Sequence, residues 1–152
     1  MIEVDEICLR QSPALWLWIG ISRKVGHVLG FDLGDRTDAA LPRLWKDVAP
    51  DYQSKAIDTD GWGAYARFFA SIPCGTHTVC DKGSGRTSRI EAFNTKCRQR
   101  QSGIVRRSCG TWTGITDDIV ERFTIFAERH NRQCFRKWEA RQKQQATMLT
   151  NP

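Results

Sequence analysis

The chain has no long apolar run, no signal-like N-terminus and no internal repeat, and these absences narrow the class of protein. None of its 152 residues lies in an apolar segment approaching the roughly 18 residues that a membrane helix needs. The N-terminus is too acidic for a secretory signal, so a cytoplasmic location is expected. A chain of this length most often forms one domain, and 40% hydrophobic with 26% charged residues is typical of a globular protein.

The six cysteines are scattered along the chain and form no Cys-x-x-Cys pair. Because nothing points to secretion, a disulfide framework is not expected. Cys74, His77 and Cys80 are spaced in a way that resembles a zinc motif, but a structural zinc site needs four ligands and no partner pair lies nearby. We therefore interpret the cysteines as reduced, partly buried thiols.

Positive charge is concentrated in the second half of the chain. The net charge is +6; residues 86–152 hold 14 Lys and Arg against 6 Asp and Glu (+8), which leaves 9 against 11 (−2) in residues 1–85. A basic surface beside an acidic part suits contact with phosphates near a metal-binding region, so nucleic-acid binding is predicted. The alternative is an ordinary solvated basic helix face.

Apolar periodicity predicts strands and helices in alternating order along the chain. Turn residues and Pro50 separate the elements, and residues 106–114 break the periodicity. Strands are predicted at residues 2–8, 15–22, 25–33, 55–59 and 76–80. Helices are predicted from residue 35 or 37 to 48, at 63–71, from about 90 to 98 and from about 116 to 130.

Three strands, a helix, a strand, a helix, a strand and then helices is the layout of a ribonuclease-H-like fold. We therefore predict an α/β fold in which a mixed five-stranded sheet is flanked by helices and followed by a C-terminal helical extension. Residues 1–133 are expected to form this domain, and residues 134–152 a basic polar tail. The polar residues 136–152 are expected to fray.

Three acidic residues, Asp5, Asp60 and Glu91, each stand against a short apolar run. An ionised carboxylate is costly there unless a charged group uses it, and a shared divalent cation would meet that need. Spacings of 55 and 31 residues put the first acid on the first strand, the second just after the fourth strand and the third on the next helix. Metal ions held in this way commonly assist in-line displacement at phosphorus. The leading hypothesis is a phosphoryl-transfer enzyme that acts on a polynucleotide.

Each of the three acids has an alternative. Glu6 competes with Asp5 as the metal ligand on the first strand. Asp58 competes with Asp60, because alternation along a strand would place both on one face. Glu91 could be a solvated helix residue, although it lies beside the apolar stripe of its helix. We favour Asp5, Asp60 and Glu91.

Several segments, in order and at these spacings, resemble one known family. They are residues 3–6 (EVDE), 16–26 (WLWIGISRKVG), 30–37 (GFDLGDRT), 59–65 (TDGWGAY) and 89–94 (RIEAFN), the last followed by 98–100 (RQR). Over about residues 1–133 the chain resembles the DDE transposases of the insertion-sequence-one group, which bacterial and archaeal mobile elements encode. The match at Asp60-Gly61-Trp62 favours Asp60 over Asp58.

The resemblance implies an enzyme that cleaves and joins DNA at the ends of a mobile element. Asp5, Asp60 and Glu91 would then coordinate two Mg²⁺ or Mn²⁺ ions, one activating the attacking hydroxyl and one stabilising the leaving oxygen. No covalent protein–DNA intermediate is needed. The DNA-binding residues are expected to be Asn94, Arg98, Arg106 and Arg107.

The resemblance also implies partners. The chain begins on the first catalytic strand, so we expect it to be the downstream, catalytic portion of a transposase whose DNA-binding region comes from an upstream reading frame. A homo-oligomer on DNA is expected by analogy. Two other readings stay open: a catalytically silent DNA-binding or regulatory fragment, and a ribonuclease-H-like nuclease without strand transfer.

Overall fold

A mixed five-stranded sheet forms the centre of the fold. The computed structural model describes residues 1–11, 14–81, 83–101 and 117–150. The strands are β1 (Ile2–Gln11), β2 (Ala14–Ser22), β3 (Val28–Gly34), β4 (Ile57–Thr59) and β5 (His77–Val79). Their order in the sheet is β3-β2-β1-β4-β5. The first three strands pair antiparallel, whereas β4 lies parallel to β1 and β5 lies parallel to β4.

Helices flank this sheet. They are α1 (Ala40–Asp47), α2 (Pro50–Gln53), α3 (Gly63–Ser71), α4 (Ser88–Arg100) and α5 (Asp117–Thr150). Helices α1 and α2 lie between β3 and β4 in the chain, and α3 lies between β4 and β5. Because β4 and β5 pair parallel, they need such a crossover connection. The arrangement confirms the predicted ribonuclease-H-like α/β fold with a C-terminal helix.

Side-chain alternation along β1 and β2 divides the core into two layers, one on each face of the sheet. Odd-numbered residues such as Ile7 and Leu17 pack against α4 and α5, where Ile90 and Phe123 are buried. Even-numbered residues of the same strands face α1 and α3 instead. The second layer includes Ile2, Val4, Trp18, Leu44, Ile57 and Tyr65. The odd-numbered acids Glu3 and Asp5 of β1 are therefore directed towards α4.

The turn between β2 and β3 is longer than predicted. The sequence predicts a strand from residue 25, only two residues after the preceding strand, but β3 begins at Val28. Gly26 has φ 86°, and its N–H donates to the Ser22 carbonyl at 2.6 Å. Glycine adopts this left-handed conformation without a side-chain clash, so the turn extends to His27 before pairing resumes.

Helix α5 extends much further than the sequence analysis predicted. The expectation that residues 136–152 fray is wrong for residues 136–150, which continue the helix to Thr150. Ala, Arg, Gln, Lys, Glu and Met dominate this stretch, and all are strong helix formers. The helix also crosses residue 133, where a domain boundary stays a prediction. Among the described residues, no helix is both long and apolar enough to cross a membrane, α5 included.

Candidate active site

The three predicted acids approach one another where β1, the end of β4 and α4 meet. Asp5 is an odd-numbered residue of β1, and its Oδ2 accepts a hydrogen bond of 2.8 Å from Asn94 Nδ2 on α4. Asp60 directly follows β4, the parallel neighbour of β1. Glu91 lies in the first turn of α4. One strand, one strand end and one helix thus bring together carboxylates that are up to 86 positions apart in the chain.

The carboxyl group of Asp5 has a pKa well above its ordinary value. Its side chain is half-buried, and burial is the largest cause that raises its pKa to about 7. The adjacent charge of Glu6 raises the pKa further, and Asp60 and Glu91 add smaller contributions. Like charges disfavour ionisation of a neighbouring acid only when they are close. The raised pKa of Asp5 therefore reflects its burial first and the charges of its neighbours second, and Asp60 and Glu91 are close enough to contribute.

Asp60 and Glu91 are exposed, and each accepts a hydrogen bond from a donor near it in sequence. Asp60 Oδ1 accepts from the Trp62 backbone N–H at 3.0 Å, and Glu91 Oε1 accepts from the Thr87 hydroxyl at 2.8 Å. Within the described part of the chain, no three His, Cys, Asp or Glu side chains are placed to share one metal ion. Exposed side chains change rotamer in picoseconds to nanoseconds, so these two carboxylates can turn towards Asp5.

Asn94 adds an uncharged oxygen to the group. The residue is 4% exposed, and while its Nδ2 donates to Asp5, its buried Oδ1 has no hydrogen-bond partner among the described residues. A buried acceptor without a partner is costly, which makes this oxygen a candidate ligand or hydrogen-bond acceptor for a bound group. The residues present fit a divalent cation, because Mg²⁺ and Mn²⁺ prefer carboxylate and amide oxygens and would relieve the repulsion around Asp5.

Glu6, the alternative to Asp5, lies on the other face of β1 and is already engaged. Its carboxylate accepts hydrogen bonds from Arg36 Nε at 3.0 Å and from the Tyr65 hydroxyl. The Arg36 guanidinium in turn lies 4.8 Å from the ring centroid of Trp16 and 4.9 Å from that of Trp62. These contacts give Glu6 a structural partner and orient it away from Asn94.

Asp58, the alternative to Asp60, is a buried ion-pair residue. It is fully buried in β4, and its two oxygens are paired with Arg23 Nη1 and Arg86 Nη2, each at 2.9 Å. Both arginines keep part of their side chains in solvent. A carboxylate whose oxygens are both paired with guanidinium groups is poorly placed to bind a metal ion.

Glu3, which was not predicted as a site residue, is buried and holds α4 in place. Glu3 Oε2 accepts a hydrogen bond of 2.9 Å from the Ile90 backbone N–H, one of the unpaired donors at the start of α4. Burial is the largest cause that raises the pKa of Glu3. A signal was present, because strand alternation puts Glu3 on the same face of β1 as Asp5. By holding the first turn of α4, Glu3 positions Glu91.

Of the four residues predicted to bind DNA, the structure describes two. Arg98 is exposed on α4, seven residues and therefore about two turns after Glu91. It lies on the same flank of the helix as Glu91, with Asn94 between them. Arg106 and Arg107 lie outside the described residues.

We expect the stability of the metal-free chain to fall between about pH 4 and about pH 7 through Asp5. The folded chain keeps the Asp5 proton up to about pH 7, whereas an unfolded Asp loses it near pH 4. The folded state therefore binds more protons in this window, and rising pH removes that stabilisation. Urea unfolding at about pH 5 and about pH 8 should show a larger loss for the wild type than for Asp5→Asn. Equal losses would contradict the raised pKa.

A five-stranded sheet of this order, with acids at the meeting point of β1, β4 and α4, defines a ribonuclease-H-like α/β domain. The model of the IS1 transposase family matches residues 8–131, which is most of the chain. The chain belongs to the IS1 transposase family, and membership of a transposase family implies interaction with DNA. The matched range contains Asp60 and Glu91 and begins three residues after Asp5. A comparison with curated proteins finds no match.

Proposed function

We propose that this chain is the catalytic domain of a DNA transposase that cleaves and transfers strands at the ends of a mobile element. The proposal assigns Asp5, Asp60 and Glu91 as the acids that hold the metal ions. One observation carries it: burial and the charges of Glu6, Asp60 and Glu91 together raise the pKa of Asp5 to about 7 in a family of transposases. Groups whose pKa values are strongly shifted by burial and by nearby charges cluster at functional sites.

The chemistry is an in-line displacement at phosphorus. Two Mg²⁺ or Mn²⁺ ions, when bound, would stabilise the charge on the attacking and leaving oxygens. Asp5 supplies a rigid carboxylate, because its strand and the hydrogen bond from Asn94 fix its direction. Asp60 and Glu91 supply exposed carboxylates that can rotate onto the ions. Water is the attacking group in cleavage and a DNA 3′-OH is the attacking group in joining.

We propose that Arg98 and Asn94 act beside the three acids, Arg98 on the bound DNA and Asn94 on Asp5. Arg98 is exposed on the Glu91 flank of α4, so its guanidinium can pair with a phosphate of the bound strand. Asn94 is a positioning residue, because it acts on the reaction through Asp5. We extend the proposal to Arg106 and Arg107 as further DNA contacts.

Replacing Asn94 by Ala should lower cleavage by about 10- to 100-fold, the range typical of residues that orient a metal ligand. The substitution removes the 2.8 Å hydrogen bond that fixes Asp5. Because that bond favours the ionised carboxylate, its loss should also move the pH profile of cleavage upwards. Initial rates over a pH series check both effects. Gln99→Ala, at an exposed position of the same helix, is the matched control and should leave the profile unchanged. If the pH profile of cleavage by Asn94→Ala were the same as that of the wild type, Asn94 would not position Asp5.

The products formed from labelled DNA that carries element ends test the proposed function. Joined products that need Mg²⁺ or Mn²⁺ support the transposase proposal. Hydrolytic cuts without joining indicate a ribonuclease-H-like nuclease. A folded chain that binds DNA and forms no product indicates a catalytically silent or regulatory fragment. Testing the chain both alone and fused to an upstream DNA-binding region distinguishes an inactive site from a missing partner.

Two partners belong to the proposal as well. A transposase joins two DNA ends, so we propose a homo-oligomer assembled on DNA. An upstream-frame region would supply recognition of the end sequence, since the residues assigned to the site contact phosphates and metal ions and read no bases.

A further inference from the structure

A cleft between α4 and α5 lies on the flank of α4 that faces away from Glu91. At 100° per residue, Arg89, Lys96 and Arg100 fall on one side of α4, whereas Glu91 and Arg98 fall on the opposite side. The first side opens onto a cleft of about 320 Å³. Its lining also includes Gly26, His130, Gln133 and Lys137.

A second hollow continues this cleft along α5. It measures about 260 Å³ and shares Lys96, Arg100, His130 and Gln133 with the first. Arg129 lines the second hollow but not the first. We refer to the two hollows together as the α4–α5 cleft. Because the two hollows share lining residues they are adjacent, and neither is lined by Asp5, Asp60 or Glu91.

The α4–α5 cleft carries positive charge without compensation. Its lining contains five Lys and Arg residues and no Asp or Glu. Among the described residues, no ion pair within 4.0 Å involves any of the five, whereas Arg86, Arg122 and Arg132 each have an acidic partner. Burial is the largest cause that lowers the pKa of Lys96, and the charges of Arg100 and Lys137 lower it further. Cations gathered in this way are stabilised by an anionic ligand.

One of these cations is held in a fixed position. Lys96 Nζ lies 2.7 Å from His130 Nδ1 and 3.4 Å from Gln133 Oε1. His130 Nε2 lies 2.8 Å from the Gly26 carbonyl oxygen, which can only accept, so Nε2 carries the proton and Nδ1 accepts from Lys96. The imidazole is neutral, in keeping with the lowering of its pKa by burial. A preorganised ammonium group loses less entropy on binding a ligand.

We propose that the α4–α5 cleft binds backbone phosphates of duplex DNA, at a position separate from the reacting phosphate. The inference rests on the proposed function for the choice of DNA as the ligand. Phosphodiester oxygens accept hydrogen bonds from Lys96 and Arg100, which line both hollows, and two adjacent hollows suit successive phosphates of one strand. A helix is about 10 Å across, so DNA held here is offset from the acids by the width of α4.

The test compares two charge-matched double variants in the full chain. K96Q/R100Q removes two cations from the cleft, and R122Q/R132Q removes two exposed cations of α5 that pair with acids outside it. Fluorescence anisotropy with a labelled duplex, in EDTA and over a salt series, measures affinity without cleavage. We expect K96Q/R100Q to weaken binding about tenfold or more and to reduce the salt slope by about two. The control pair should bind as the wild type does, and circular dichroism should show that all three chains fold.

Several results would overturn the inference. One is a K96Q/R100Q variant that binds DNA with the affinity and salt slope of the control pair. Another is evidence that the cleft binds free phosphate and not DNA. In that case inorganic phosphate would raise the unfolding temperature of the wild type but not of K96Q/R100Q, while the two proteins would bind DNA with equal affinity. Failure of the proposed function would give a different result. The wild type would bind DNA without cutting or joining it, and K96Q/R100Q would still bind DNA more weakly than the control pair.

Discussion

Asp60→Asn and Glu91→Gln should each lower metal-dependent cleavage and joining by about 1,000-fold or more. Each substitution removes one negative oxygen from the proposed metal site while keeping the size of the side chain. Metal ions contribute several kcal/mol to stabilising a transition state of this kind, and about 4 kcal/mol corresponds to a factor of 1,000. Single-turnover rates on labelled DNA ends measure the loss.

Matched controls separate this effect from a general change of charge. Asp51→Asn and Glu139→Gln make the same replacements at exposed positions of α2 and α5, away from the acids. Both should cleave at the wild-type rate. Wild-type rates in Asp60→Asn or Glu91→Gln would exclude that residue from the metal site, whatever the controls do.

Asp58→Asn should destabilise the fold by about 2 kcal/mol, whereas Asp60→Asn should change its stability by less than about 0.5 kcal/mol. Asp58 is fully buried, and its two oxygens accept hydrogen bonds from Arg23 and Arg86. The amide would keep one uncharged acceptor oxygen and would place an NH2 group, which cannot accept, against the arginine donors. The loss is smaller than for a wholly buried pair, because both arginines reach solvent and Arg23 keeps a contact with Glu3 at 3.7 Å. Asp60 is exposed, and an Asn there can still accept from the Trp62 N–H.

Urea unfolding of the two variants in EDTA measures this contrast between neighbouring acids. A two-state transition with an unchanged slope would assign the difference to stability. If Asp58→Asn were as stable as the wild type and instead abolished cleavage, Asp58 would be the metal ligand and Asp60 would not. The comparison therefore decides between the two acids by structure and by activity.

Much of the fold could be predicted because it depends on local patterns. The order of strands and helices follows from apolar periodicity and turn residues. The spacing of Asp5, Asp60 and Glu91 predicted that they belong to one part of a ribonuclease-H-like layout. The strands and helices depend on residues close together in sequence, and a strand face is fixed by alternation alone. The later start of β3 could not be predicted, because it depends on the φ angle of Gly26 and apolar periodicity carries no information about that angle.

The contacts that engage the competing acids Asp58 and Glu6 could not be predicted from the sequence. Asp58 is paired with arginines 35 and 28 positions away, and Glu6 accepts from Tyr65, 59 positions away. The sequence around these acids does not indicate such distant partners. The α4–α5 cleft is equally hidden, because its cations come from two helices that are neighbours only in the folded chain.

The central claim is that Asp5, Asp60 and Glu91 together bind divalent metal ions, and Mn²⁺ binding tests it most directly. Electron paramagnetic resonance can follow free Mn²⁺ as it is titrated with the wild-type chain in the presence of DNA ends. We predict saturable binding of about two ions that is lost or strongly weakened in Asp5→Asn, Asp60→Asn and Glu91→Gln and retained in Asp51→Asn. Binding that survives all three replacements, or a folded wild type that binds no Mn²⁺, would contradict the claim.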